Sequence, residues 1–261
     1  MRNFLPALLL LLTFGTGDAF ASHILAGGFT YQFIDSTGGH YHYRIRLTEY
    51  VDCLTGQPEA IAADNPAFFG IYDGGGTLAV MDSSVDLSSF SSVSVDYSTP
   101  CGTFSTPVST FCASKRIFEK DFYLTPNTTG YTVAYQRCCR SASVVNLVNP
   151  GDVGITYFCN IPPMQVANTS AVFTKDPPLV VCLDNTLVYD LSATDANSDS
   201  LSYELHQCYS GANEIDIKPL PAAPPYDPVN FVPSSSFTNP MGSGATFSVN
   251  PVTGWLTIHP S

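Results

Sequence analysis

The sequence predicts an all-β protein built as two β-sandwich domains, and three observations carry that expectation. Charged residues make up only 12% of the chain, about half the usual share, while 20 Pro and 19 Gly are scattered along it and leave little room for long helices. Apolar and polar side chains alternate over short runs, the period of a half-buried strand. Turn signals separate those runs at "DSTGG", "DGGG", "TPNTTG" and "NPGD".

The clearest strand is "YHYRIRLTEYV", with Tyr41, Tyr43, Ile45 and Leu47 on one face. His42, Arg44, Arg46 and Thr48 lie on the other, as in an antiparallel sheet with one wet side. "YTVAYQRC" repeats the pattern with Tyr131, Val133 and Tyr135. Shorter strands are expected at Gly28 to Ile34, Ala67 to Tyr72 and Ile155 to Ile161. The serine-rich run Ser83 to Ser98, alternating at Val93 and Val95, reads as an exposed edge.

A Pro-containing linker around Pro162 to Pro178 separates residues 22–170, a disulfide-rich domain, from a second domain over 171–261. There "LVVCLDNTLVYDLSATDANSDSLSYELHQC" reads as strand, turn, strand, acidic loop, strand. "KPLPAAPPYDPVNFVP" is an extended crossing, and "ATFSVNPVTGWLTIHP" a hairpin turning at Asn250 to Gly254. An immunoglobulin-type sandwich needs about seven strands, and this segment offers about five or six. Trp255 to His259 is therefore expected to end the chain as an exposed edge. The second domain is expected to be truncated, and the chain to continue into further C-terminal domains.

The chain opens "MRNFLPALLLLLTFGTGDAFA", a basic start, an apolar run and small residues, which is the plan of a secretory signal peptide over 1–21 cleaved after Ala21. A spanning helix needs about 20 apolar residues, and Gly15 and Gly17 interrupt this run. The mature chain is expected to be secreted or held at the cell surface, with no transmembrane segment. Its net charge of −12 argues against nucleic acid and anionic membranes as partners.

Eight cysteines follow the cleavage site: Cys53, Cys101, Cys112, Cys138, Cys139, Cys159, Cys182 and Cys208. An even count in an exported chain reads as a disulfide framework, and neither zinc-type C-x2-C pairs nor a C-x-x-C redox motif is present. Cys138 and Cys139 are adjacent. Across a trans peptide their Cα atoms would lie about 3.8 Å apart, whereas a disulfide usually spans about 4.4–6.8 Å. Alternation along a strand would also send them to opposite faces. Two separate struts are therefore expected, with a vicinal bond or a free thiol as the alternative. Cys53 is the favoured partner for one of the pair, Cys182 is expected to bond Cys208, and no thiol is expected to stay free.

Catalytic patterns are missing from the sequence. No G-x-S-x-G elbow or H-E-x-x-H helix occurs, and "YDGGGTL" lacks the Lys and following helix of a phosphate loop. His40 and His42 share a strand face beside a glycine turn, where solvated histidines are ordinary. The sharper candidate is "ATDANSDSL": Asp195, Asn197 and Asp199 present oxygens at alternate positions, as calcium requires. An Asx turn using the same side chains on its own backbone is the competing reading.

"SHILAGGFTYQF", "YRIRLTEYVDC", "NPAFFGIYD", "GYTVAYQRCCR" and "VVNLVNPGDVGITYFCNIP", in that order, resemble the N-terminal region of large exported Bacteroidota proteins. Such proteins typically end in a gliding-motility-associated sorting domain and leave by type IX secretion. "FTKDPPLVVC", "DLSATDANSDSLSYEL", "PPYDPVNF" and "NPVTGWLT" look like the immunoglobulin- or cadherin-like module that follows, whose acidic loops hold calcium. The resemblance implies a non-catalytic, adhesin-like surface module with no catalytic residues to carry over. Its partner would be a surface protein or a glycan. A carbohydrate-binding module using an exposed Tyr or Trp255 is the alternative, and an exported hydrolase the next.

Overall fold

The computed structural model describes residues 23–80, 84–93, 112–163 and 166–261, so the expected signal peptide and Cys101 lie outside the described residues. In chain order the first elements are β1 (Ile24–Thr37), β2 (His40–Asp52), helix α1 (Pro58–Ala63), β3 (Ala67–Phe68) and β4 (Gly70–Asp73). Then come β5 (Ser84–Val85), β6 (Leu87–Ser92), β7 (Ala113–Leu124), β8 (Tyr131–Arg137) and β9 (Ile155–Ile161). The last are β10 (Val172–Phe173), β11 (Leu187–Asp190), β12 (Ala193–Thr194), β13 (Thr246–Val249) and β14 (Trp255–His259). The fold is all-β, and the paired strands are antiparallel.

Two sheets form the main sandwich, one ordered β1-β2-β7-β6 and the other β4-β8-β9. β1 and β2 meet through Gly38 and Gly39, both at positive φ, the backbone a two-residue hairpin loop demands. Alternation then aims Tyr43, Ile45, Leu47, Phe118 and Phe122 from the first sheet at Ile71, Val133, Tyr135, Ile155 and Ile161 from the second. Phe29 meets Phe69 edge-on across this core at 5.0 Å. The free edge of β1 is covered: Tyr31 exchanges hydrogen bonds with Ser170, and the Phe33 N–H donates to Thr169 Oγ1.

Cys53 and Cys112 are disulfide-bonded where β2 ends and β7 begins, closing a 59-residue separation with a Cα–Cα distance of 5.2 Å. Such a bridge contributes about 2–4 kcal/mol. It replaces the expected link from Cys53 to the vicinal pair. The register of β2 and β7 pairs Asp52 with Ala113, which sets Cys53 and Cys112 beside each other.

The outer face of β4-β8-β9 is covered by residues 208–232, a strap with little regular structure. Thr156 N–H donates to the Tyr209 carbonyl, Cys138 N–H to Ile217, and Ala222 N–H to Gln136 Oε1. Phe158 on that face packs against Tyr209 and Tyr226, with ring centroids 5.6 and 5.2 Å away. Tyr72 donates its hydroxyl to the Pro221 carbonyl.

In the last segment β14 lies in the middle of the sheet β11-β14-β13. Its central place corrects the expectation of an exposed terminal edge: β11 returns to pair with β14 on one side and β13 occupies the other. Leu256 and Ile258 are buried, while Trp255 and Val188 face outward. The strands expected around Leu179 to Cys182 and Leu201 to Gln207 do not form, whereas β7 and α1 arise where the sequence reading placed nothing.

A β-carbon at Gly154 would fall on the carbonyl oxygen of Gly211 in the strap, whereas one at Gly28 meets nothing within 4 Å. Gly154→Ala should therefore destabilise the protein by about 1–3 kcal/mol and expose the strap to protease, while Gly28→Ala leaves both unchanged. Denaturant unfolding of the two variants is the check, and equal behaviour would show that the strap does not press on the sheet.

Candidate functional site

The most concentrated chemistry in the described residues is sealed inside the sandwich. α1 ends at Asp64, which turns inward as the C-cap residue. Asp64 Oδ1 accepts Arg137 Nε at 2.5 Å, and Oδ2 accepts Arg116 Nη1 at 2.6 Å. His23 Nε2 lies 2.7 Å from the same Oδ2. Arg116 comes from β7 and Arg137 from the last position of β8, so one carboxylate joins both sheets to His23, the residue just before β1. Arg137 Nη1 also donates to the Ile217 carbonyl at 2.6 Å, and Lys218 Nζ to the Ala63 carbonyl at 2.6 Å. The strap is thereby tied to the same point.

Glu49 of β2 completes the cluster but stands apart from its hydrogen bonding. Its Oε2 is 3.5 Å from Arg116 Nη1, and neither carboxylate oxygen has a hydrogen-bond partner among the described residues. The side chains of His23, Glu49, Asp64 and Arg137 are 0% exposed and that of Arg116 is 2% exposed, so solvent does not screen these charges.

Burial alone would raise the Asp64 carboxyl. The His23 hydrogen bond and the Arg137 and Arg116 charges outweigh it and hold Asp64 down at about 2. For Glu49 the same burial prevails: with the Asp64 charge adding to it, its carboxyl is pushed up to about 8. Burial, then the charges of Glu49 and Asp64, also push the Tyr135 phenol upward.

Cys138 and Cys139 sit beside this cluster, and they are bonded to each other. Their bond corrects the expectation of two struts. The pair follows the last residue of β8, so strand alternation no longer applies, and the peptide between them is cis, with Cα atoms 3.0 Å apart. Cys182 is disulfide-bonded, but not to Cys208, which is exposed and free. Cys208 has left that neighbourhood with the strap, where its carbonyl accepts Val229 N–H. Cys159 is also free, and burial pushes its thiol up to about 12. Among the described residues, two free thiols therefore stand where none was expected.

The acidic loop uses its oxygens locally. Asp195 Oδ1 accepts the N–H groups of Asn197 and Asp199, and Asn197 Oδ1 accepts Thr169 N–H at 2.8 Å. This is the Asx-turn geometry. Among the described residues no group of three or more His, Cys, Asp or Glu side chains is placed to hold a metal ion. His40 Nδ1 lies against the Gly38 carbonyl, and His42 lies between Asp35 and Asp121 with its ring stacked on Tyr123 at 4.5 Å.

Sequence reading missed Asp64, Arg116, Arg137, Glu49 and His23 as a group, because each resembles an ordinary surface charge. One signal was available for Glu49: it continues the inward-facing register of Tyr43, Ile45 and Leu47.

Asp64→Asn should cost about 3–5 kcal/mol at neutral pH, because it leaves two buried guanidiniums without their carboxylate. The Asp64 carboxyl is lower folded than unfolded, so its contribution is complete above the ordinary value of 3.8 and is lost as pH falls through about 2. Urea unfolding across that range should show acid destabilisation in the wild type that is much reduced in the variant.

No protein-family model, curated protein or solved structure matches the chain. Among the described residues, no helix is long and apolar enough to cross a membrane.

Proposed function

We propose that this chain is a non-catalytic module of a secreted or cell-surface protein, of the adhesin-like, gliding-motility-associated exported kind, with an immunoglobulin-like sandwich as its framework. The observation that carries this reading is the placement of the ionisable groups. The densest constellation, Asp64 with Arg116, Arg137, His23 and Glu49, has no solvent access and joins structural layers. What solvent meets is a flat strand face of mutually paired charges: Arg44 on Asp121 at 2.8 Å and Arg46 on Glu119 at 2.6 Å, directly opposite in register. Paired charges on a rigid face suit contact with another surface. The Cys53–Cys112 bridge fits an oxidising compartment.

Intact producing cells treated with a non-penetrating protease should lose the epitope of this chain, and its deletion should reduce surface attachment. Full protection of the epitope until lysis would overturn the surface assignment.

A glycan-binding role is the second reading, favoured by Tyr123. The residue is 59% exposed and its ring rests on His42, which itself lies between Asp35 and Asp121. Trp255, 47% exposed, offers another stacking surface. On a glycan array Tyr123→Ala or Trp255→Ala should weaken any hit by about tenfold, or 1.4 kcal/mol. Binding that survives both substitutions excludes these rings as the platform.

A further inference from the structure

Alternation along β14, the middle strand of the sheet β11-β14-β13, separates the two faces of that sheet. Leu256 and Ile258 are buried, which turns Trp255, Thr257 and His259 to the outer face. Register carries the division to the neighbours. Asp190 and Val188 of β11 stand opposite Trp255 and Thr257, and Ser248 and Thr246 of β13 stand opposite Thr257 and His259. The outer face is thus an open plane about 13 Å long and about 10 Å wide.

This plane is close to neutral, although the chain as a whole carries a net charge of −12. Residues 228–261, which supply β13 and β14, contain no Asp, Glu, Lys or Arg. The carboxylate of Asp190 on β11 is engaged by Lys175 Nζ at 3.2 Å and by the Ser192 N–H at 3.0 Å. The hydroxyls of Thr246, Ser248 and Thr257 are uncommitted among the described residues, and each can both donate and accept. Between them stand the ring of Trp255, 47% exposed, and the side chain of Val188, 53% exposed.

A sugar ring has the matching surfaces: a C–H face that lies on an aromatic ring, and a rim of hydroxyls that exchanges hydrogen bonds with Ser and Thr. A protein partner fits poorly, because the plane covers about 130 Å², several-fold below the about 800 Å² that each side of a stable interface buries. An acidic ligand meets the repulsion of the whole chain, and Lys175 is already paired with Asp190. The Tyr123 ring, by contrast, rests on His42, which lies between the carboxylates of Asp35 and Asp121.

We propose that the outer face of β11-β14-β13 binds an uncharged glycan chain, with Trp255 stacked on a sugar ring and Thr257 and Ser248 hydrogen-bonded to its hydroxyls. The proposal rests on the glycan reading above and adds to it the place of the site and the charge class of the ligand.

Trp255 is the single tryptophan of the chain, so its fluorescence reports this face directly. The test pairs native electrophoresis of the full chain through gels containing β-glucan, mannan, dextran or acidic alginate with acrylamide quenching of Trp255 in the same polysaccharides. At least one neutral polysaccharide should retard the chain and shield Trp255 from acrylamide, while alginate does neither. Trp255→Ala should weaken the retardation about tenfold. Thr257→Val, which keeps the β-branched shape of a central strand, should weaken it about fivefold. Should Trp255→Ala not fold, quenching of the wild type and the Thr257→Val variant decide. Retardation by a neutral polysaccharide that leaves Trp255 quenching unchanged overturns this site and leaves the glycan reading standing. Retardation by alginate alone overturns the charge class. No retardation by any of them overturns both the site and the glycan reading.

Discussion

A single buried carboxylate, Asp64, must neutralise two guanidiniums that solvent cannot reach. Removing such charges from water costs several kcal/mol per ion, and attraction offsets it only when the hydrogen bonds are well made. Much of the architecture serves that requirement. α1 exists for barely two turns and delivers Asp64 at its end, β7 brings Arg116, β8 ends on Arg137, and His23 arrives immediately before β1. Residues from four separate stretches meet at two oxygen atoms. The strap adds a fifth through Ile217.

The sandwich interior consequently changes character along its length. At one end Tyr43, Phe122 and Leu124 make an apolar, aromatic core. At the other, the same inward-facing positions hold Glu49 and Arg116. The apolar end supplies nonspecific cohesion, which tolerates repacking. The ionic end supplies alignment, because a shift of one strand by one residue would leave charges buried without partners. Outside, the same strands turn a ladder of paired charges and the Tyr123–His42 stack toward solvent. One register therefore places both the internal tie and the contact face.

Alternation made β2, β8, β9 and the β13–β14 hairpin legible, since their apolar residues fall on one face and their turns carry Gly, Asn or Pro. β7 was hidden by its charges. In "ASKRIFEKDFYL" Arg116 points inward while Ile117 points outward, which breaks the period at its centre. The cluster was equally hidden, because Asp64, Arg116 and Arg137 are distant in sequence and nothing local distinguishes a buried arginine from a solvated one. The vicinal disulfide escaped because the expectation rested on a trans peptide within a continuing strand. The position of Cys208 depended on a strap whose path is set by tertiary hydrogen bonds, with no periodicity to announce it.

If the Asp64 cluster ties both sheets and the strap into one body, the parts should not melt separately. Differential scanning calorimetry of the whole chain measures this most directly. A single transition, with calorimetric and van't Hoff enthalpies equal, is the expected result. Two resolved transitions, one assigned to the main sandwich and one to residues beyond 171 including the strap, would contradict it.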